Sequence, residues 1–190
     1  MHFPSILALA GLAAAFPSQL SKRAEVQGFD ISHYQPNVNF KGACEDGLRF
    51  VYIKATEGAS YKDPKFSDHY TAATSANFIR GGYHFADGSA SATAQANYFV
   101  KNGGGWTDDG KTLPGMLDLE ADCVSESWIK EFSDRYHQVT GRYPVLYSSP
   151  SWWQKCVGNT DAFVKTNLLM MACWNSEPCK PQGSWPYYTM

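Results

Sequence analysis

Two acids stand two residues apart in Pro114-Gly115-Met116-Leu117-Asp118-Leu119-Glu120. Side chains alternate along an extended chain. Met116, Asp118 and Glu120 therefore share one face, and Leu117 and Leu119 share the other. Two carboxylates on one partly enclosed face repel each other and lose solvation. Both effects keep one of them protonated, which is what a general acid requires. A strand end with two solvated acids has the same pattern, and the spacing alone does not choose. Asp30 repeats the logic in Gln27-Gly28-Phe29-Asp30-Ile31-Ser32. Phe29 and Ile31 face one way, while Gly28, Asp30 and Ser32 face the other. By itself, an aspartate there is also a turn or capping residue.

The elements that must carry these acids alternate from Val26 onward. Short β-rich runs occupy Val26–Ile31, Phe50–Ala55, Ile79–Phe85, Gly115–Leu119, Pro144–Ser148 and Asn167–Ala172. Helical stretches lie between several of them: Pro64–Asn77, Ser89–Lys101 and Ser125–Thr140. The last is the clearest. Ser125 can cap it, Trp128, Ile129, Phe132 and Tyr136 form an apolar stripe, and Gly141 can close it. Strand, helix, strand at this spacing predicts an α/β fold with parallel pairing. An open doubly wound sheet and a (β/α) barrel both satisfy that pattern.

Composition narrows the classes. The 190 residues suit one domain, and the net charge of −2 comes without a basic stripe, so nucleic-acid binding is not expected. No apolar stretch is long enough to span a bilayer. Aromatic residues make up 15% of the chain, which suits a core and equally suits a cleft that stacks sugar rings. Ile6–Ala15 reads as the apolar part of a signal peptide at 1–15. A segment at 16–23 then ends on Lys22-Arg23, leaving a domain at 24–190. Five cysteines fit an oxidising compartment, and their spacing offers no zinc site.

Five runs carry a family resemblance. They are GFDISHYQ at 28–35, VYIKATEG at 51–58, GGYHFA at 81–86, DLE at 118–120 and GRYPVLYSSPSWW at 141–153. In this order they resemble the Chalaropsis-type lysozymes of glycoside hydrolase family 25. The resemblance implies a modified TIM-like (β/α) barrel and a secreted, fungal-type muramidase, with Lys22-Arg23 as a kexin-like processing pair. It implies cleavage of the β-1,4 bond between N-acetylmuramic acid and N-acetylglucosamine in bacterial peptidoglycan, with retention of configuration. Glu120 corresponds to the general acid, and Asp118 to the residue that orients or stabilises the substrate's acetamido group. Asp30 corresponds to the aspartate on the floor of the site. Tyr83, Tyr147 and Trp152 correspond to substrate contacts, and Cys123 with Cys156 to a disulfide. The expected form is a monomer needing no cofactor, no metal and no membrane.

Other residues have blander expectations. His84 should face the helices as a packed, satisfied histidine. Lys54 and Glu57 could pair at the rim of the second strand. Cys173 and Cys179 could close a small ring, which leaves Cys44 free. The chain also departs from the family pattern. A short segment, Ala121 to Val124, follows Glu120, and the sequence runs out at Trp185–Met190, where the family continues through further strands. The expected barrel is therefore incomplete, and an inactive or weakly active glycan-binding paralogue is the alternative reading.

Overall fold

Alternation of inward and outward side chains recurs in every long strand. The computed structural model describes residues 26–174, 179–187 and 189. The expected signal segment at 1–15 and pro-segment at 16–23 lie outside the described residues. The strands are β1 (Gly28–Ile31), β2 (Phe50–Glu57), β3 (Tyr61–Lys62), β4 (Ile79–Phe85), β5 (Met116–Leu119), β6 (Val145–Ser148) and β7 (Leu169–Met171). The helices are α1 (Phe40–Glu45), α2 (Phe66–Ser75), α3 (Ala92–Phe99), α4 (Glu126–Thr140) and α5 (Pro150–Val157). The sheet order is β1-β2-β4-β5-β6-β7, all parallel, with β3 added antiparallel to β2.

These six parallel strands curl through 222° into a half-barrel. Among the described residues the sheet does not close, so β1 and β7 are both edges. The incomplete barrel expected from the sequence is the architecture found. Beyond β7 the chain returns far enough for the Thr189 N–H to donate to the Leu169 carbonyl at 2.7 Å.

The two faces of the sheet bury different groups. The convex face carries Ile31, Val51, Ile53, Leu117, Leu119 and Leu146 into the main core beneath the helices. The concave face is plugged by Tyr52, Tyr83, Met116 and Val145, with Leu113, Tyr147 and Met170 against them. Gly81 makes that plug possible, because a Cβ there would lie 2.8 Å from the Tyr52 ring. The Tyr52 hydroxyl donates to the Pro114 carbonyl at 2.9 Å, which satisfies the one polar atom the ring brings inside.

The helices form where capping and apolar spacing direct. The Ser125 hydroxyl accepts from the Trp128 N–H at 3.1 Å, and Gly141 ends α4 at φ 73°, a left-handed conformation that glycine adopts without strain. Ile129, Phe132 and Tyr136 of α4 are wholly buried. Sequence reading missed α1 and α5. The α5 helix has its own signature, with Ser149 as cap and Pro150 opening the first turn. Trp152, the first of its tandem tryptophans, read as a cleft residue rather than as part of a helix face.

Tyr136 positions the acid-bearing strand. Its hydroxyl donates to the Gly104 carbonyl at 2.7 Å and accepts from the Gly115 N–H at 2.6 Å. Gly115 stands immediately before β5. Tyr136→Phe leaves both backbone groups buried without a partner, so the protein should lose about 1–3 kcal/mol of stability. Urea denaturation measures it. A loss within about 0.5 kcal/mol, the range of an ordinary surface change, would mean that water takes over both bonds.

Candidate active site

Parallel strands present all their C-terminal ends on one rim, and in closed barrels that rim is where active sites are built. Asp30 is the third residue of β1, Asp118 the third of β5, and Glu120 follows β5 directly. Register fixes the layers. Lys54 on β2 is level with Tyr83 on β4, which is level with Met116 and then Val145. One pleat higher, Phe85, Asp118, Tyr147 and Met170 form the next row. The sequence reading of β5 holds in full, with leucines outward and Met116 and Asp118 inward. Asp118, Glu120 and Asp30 are brought to one concave surface with Tyr83 and Tyr147 of the plug.

Their environments differ. Asp118 is only 5% exposed, and its Oδ1 is buried without a hydrogen-bond partner. Burial first, then the Glu120 and Asp30 charges, hold its carboxyl well above the usual range, while Lys54 pulls the other way. Glu120 is exposed. Its carboxyl is raised more gently by partial burial and then by Asp30, again opposed by Lys54. Asp30 sits on an edge strand and is open on one side, yet the wall behind it raises its carboxyl too. Burial, followed by the neighbouring carboxylates, drives the Tyr83 and Tyr147 phenols up.

The remaining expected residues lie around this surface. Trp152 does not join the acids. It is 7% exposed within the main core, and its indole N–H donates to the Ala121 carbonyl at 2.9 Å. Ala121 follows Glu120, so Trp152 holds the backbone beside the acid. The Cys123–Cys156 disulfide ties the same segment to α5. Cys173 and Cys179 also pair, and Cys44 is free. His84 faces the helices as expected. Thr56 Oγ1 and Gln95 Oε1 hydrogen-bond its two ring nitrogens at 2.8 and 2.9 Å, and burial depresses the imidazole to about 4.

Lys54 is the residue that sequence reasoning undervalued. The expected pair with Glu57 forms, but Lys54 is 7% exposed rather than standing open at the rim. Its Nζ donates to Glu57 Oε2 at 2.7 Å and lies 4.5 Å from the centre of the Phe85 ring. Residues three apart on a regular strand face opposite ways. Here the register slips between Lys54 and Thr56, and the extra residue re-aims Glu57 to Lys54's side. The alternation Tyr52, Lys54 could have placed the ammonium inside. Nothing in the sequence marks the slip.

Carboxyls whose proton affinity is raised by burial and by one another, set among phenols at the strand ends of a (β/α) sheet, equip a protein for acid-base glycoside chemistry. The model of glycosyl hydrolases family 25 matches residues 29–190, and the chain belongs to that family. It is 58% identical to an N,O-diacetylmuramidase from Chalaropsis sp, over 87% of this chain and 86% of the relative. It is 54% identical to an N,O-diacetylmuramidase from Arthroderma benhamiae, over 97% and 84%. The solved structure of a muramidase from Trichobolus zukalii superposes with a TM-score of 0.84 at 52% identity, covering 87% of this chain and 85% of that one.

Two measurements follow. Asp118 carries a raised pKa in the fold, so the folded state binds more protons than the unfolded one as pH falls. Its unfavourable contribution is absent below the unfolded carboxyl's pKa of about 4. It grows as pH rises toward the folded pKa and is complete above it. Asp118→Asn should therefore raise the melting temperature at pH 7 by a few degrees, about 1 kcal/mol, and the gain should vanish near pH 3. Calorimetry across pH checks this, and a gain that is independent of pH would place the effect elsewhere. In Lys54→Met the Asp118 carboxyl should titrate at higher pH than in the parent protein, followed by carboxyl NMR. An unshifted titration would show that solvent already screens the pair.

Proposed function

We propose that this protein is a secreted muramidase that hydrolyses the β-1,4 bond between N-acetylmuramic acid and N-acetylglucosamine in bacterial peptidoglycan. The observation that carries the reading is the unequal pair on one pleat, a buried carboxyl with an unpartnered oxygen beside an exposed carboxyl with a raised pKa. Family membership and the muramidase relatives support it. The two disulfides fit an oxidising, extracellular setting.

Glu120 is the group a glycosidic oxygen can reach. It donates its proton to that oxygen as the bond to the anomeric carbon breaks. The substrate's own acetamido oxygen closes on the anomeric carbon, and the acetamido N–H meets Asp118 Oδ1. That contact supplies the hydrogen bond the oxygen lacks, and it stabilises the Asp118 anion against the developing positive charge. Water then opens the ring, giving its proton to Glu120, and configuration at the anomeric carbon is retained. Asp30 keeps the site negative enough to favour a cationic intermediate. The Tyr83 and Tyr147 hydroxyls donate to sugar or acetamido oxygens.

Glycan binding without turnover would not require a carboxyl buried without a partner, so the binding-only alternative leaves the costliest feature of the site unused. Clearing of Gram-positive cell walls, with release of new reducing ends, tests the proposal. Glu120→Gln should reduce kcat by about 10²–10⁴-fold with little change in melting temperature, since its side chain stands in the open. Full clearing by that variant would remove Glu120 from the mechanism.

A further inference from the structure

An aromatic cluster lies outside the acids, at the ends of β1 and β2. Tyr34 is 76% exposed and Tyr61 38% exposed. Between them stands the His33 ring, its centre 4.1 Å from that of Tyr34 and 6.3 Å from that of Tyr61. Exposed tyrosines on flexible chain would mean little, but this cluster is clamped. Asp63 is 1% exposed. Its Oδ2 lies 2.8 Å from His33 Nδ1 and accepts from the His33 backbone N–H at 3.0 Å, while its Oδ1 accepts from the Lys65 N–H at 2.8 Å. The Tyr61 hydroxyl lies 3.3 Å from the same Nδ1. A buried carboxylate thus orders the loops after β1 and β3 as one unit.

The cluster is continuous with the acid site. Lys54 Nζ lies 5.8 Å from the Tyr61 ring centre and 4.5 Å from that of Phe85, and Phe85 is level with Asp118 in the sheet. The aromatic unit therefore begins one side chain beyond the acids, on the same rim. Flat, ordered, amphipathic rings beside a sugar-cleaving site match the apolar faces of pyranose rings. With Nδ1 committed to Asp63, His33 keeps Nε2 to accept from a sugar hydroxyl.

We propose that Tyr34, His33 and Tyr61 form an outer platform for the peptidoglycan glycan strand, holding sugars beyond the two that flank the cleaved bond. This rests on the muramidase reading for the identity of the glycan. The platform discriminates by length: it adds affinity only for strands long enough to leave the acid site and reach the tyrosines.

Binding in the Glu120→Gln background separates this from catalysis, because no strand is cut during the measurement. The probes are a tetrasaccharide of alternating N-acetylglucosamine and N-acetylmuramic acid and a purified glycan strand of ten or more sugars, followed by calorimetry. The parent should bind the long strand more tightly, and the Tyr34→Ala, Tyr61→Ala double variant should lose about tenfold on the long strand only, roughly one aromatic stacking contact. Phenylalanine at both positions should keep the preference, since the ring face does the work. A length preference that survives double alanine substitution, that is lost in the phenylalanine variant, or that is absent from the parent overturns the platform. Failure of the muramidase reading shows separately, as wild-type protein that cuts neither probe.

Discussion

A carboxylate buried without a hydrogen-bond partner is unfavourable as an anion, and Asp118 is such a group. The surrounding structure can be understood as what keeps it there. β5 lies inside the sheet, between β4 and β6, so its backbone cannot relax to let the side chain out. Leu117 and Leu119 are locked into the main core on the other face, and rotating the strand would expose them. Below, Met116, Tyr52 and Val145 exclude water. The Tyr136 hydroxyl fixes the strand's entry through Gly115. The carboxyl is left with one exit from its predicament, a donor arriving from the open side of the sheet.

That open side explains why an unclosed barrel can still hold the site. The acids and phenols occupy β1, β4, β5 and β6 and the residue just past β5. Of these strands only β1 is an edge, and Asp30 is accordingly the most solvated of the strand-borne acids. The strongest perturbation falls where the sheet is continuous on both sides, and it weakens toward the rim and the edge. The polar demands of the helical layer are met independently. His84 is bonded at both nitrogens and held neutral by burial, so it adds no charge to the balance on the other face.

Period-two alternation made much of this legible in the sequence. The inward face of β5 and the outward turn of His84 follow from it, while the parallel pairing follows from the strand-helix-strand spacing. The helix α4 was legible because cap, stripe and closing glycine agree. The burial of Trp152 was not legible, because a tandem Trp-Trp after a serine-proline cap carries no mark of how deeply each ring packs. Only the carbonyl of Ala121, thirty-one residues away, decides it. The Asp63 clamp was invisible for the same reason, since His33 lies thirty residues from its partner.

The slip in β2 is the least legible feature and the one that joins the two halves of the surface. Without it Glu57 would turn toward the helices, away from Lys54. With it, Lys54 and Glu57 face the acids together while Thr56 turns outward to bond His84. Ala55, the extra residue, stays in the outer core, and its carbonyl receives the Asp63 N–H at 2.9 Å. One inserted residue therefore turns Glu57 to meet the cation that moderates Asp118 and supplies the carbonyl that anchors the aromatic platform. Parallel strands seldom carry such irregularities. Here a regular β2 could keep either Lys54 or Glu57 at the site, but not both, and the balance of charge around the buried carboxyl depends on having the pair.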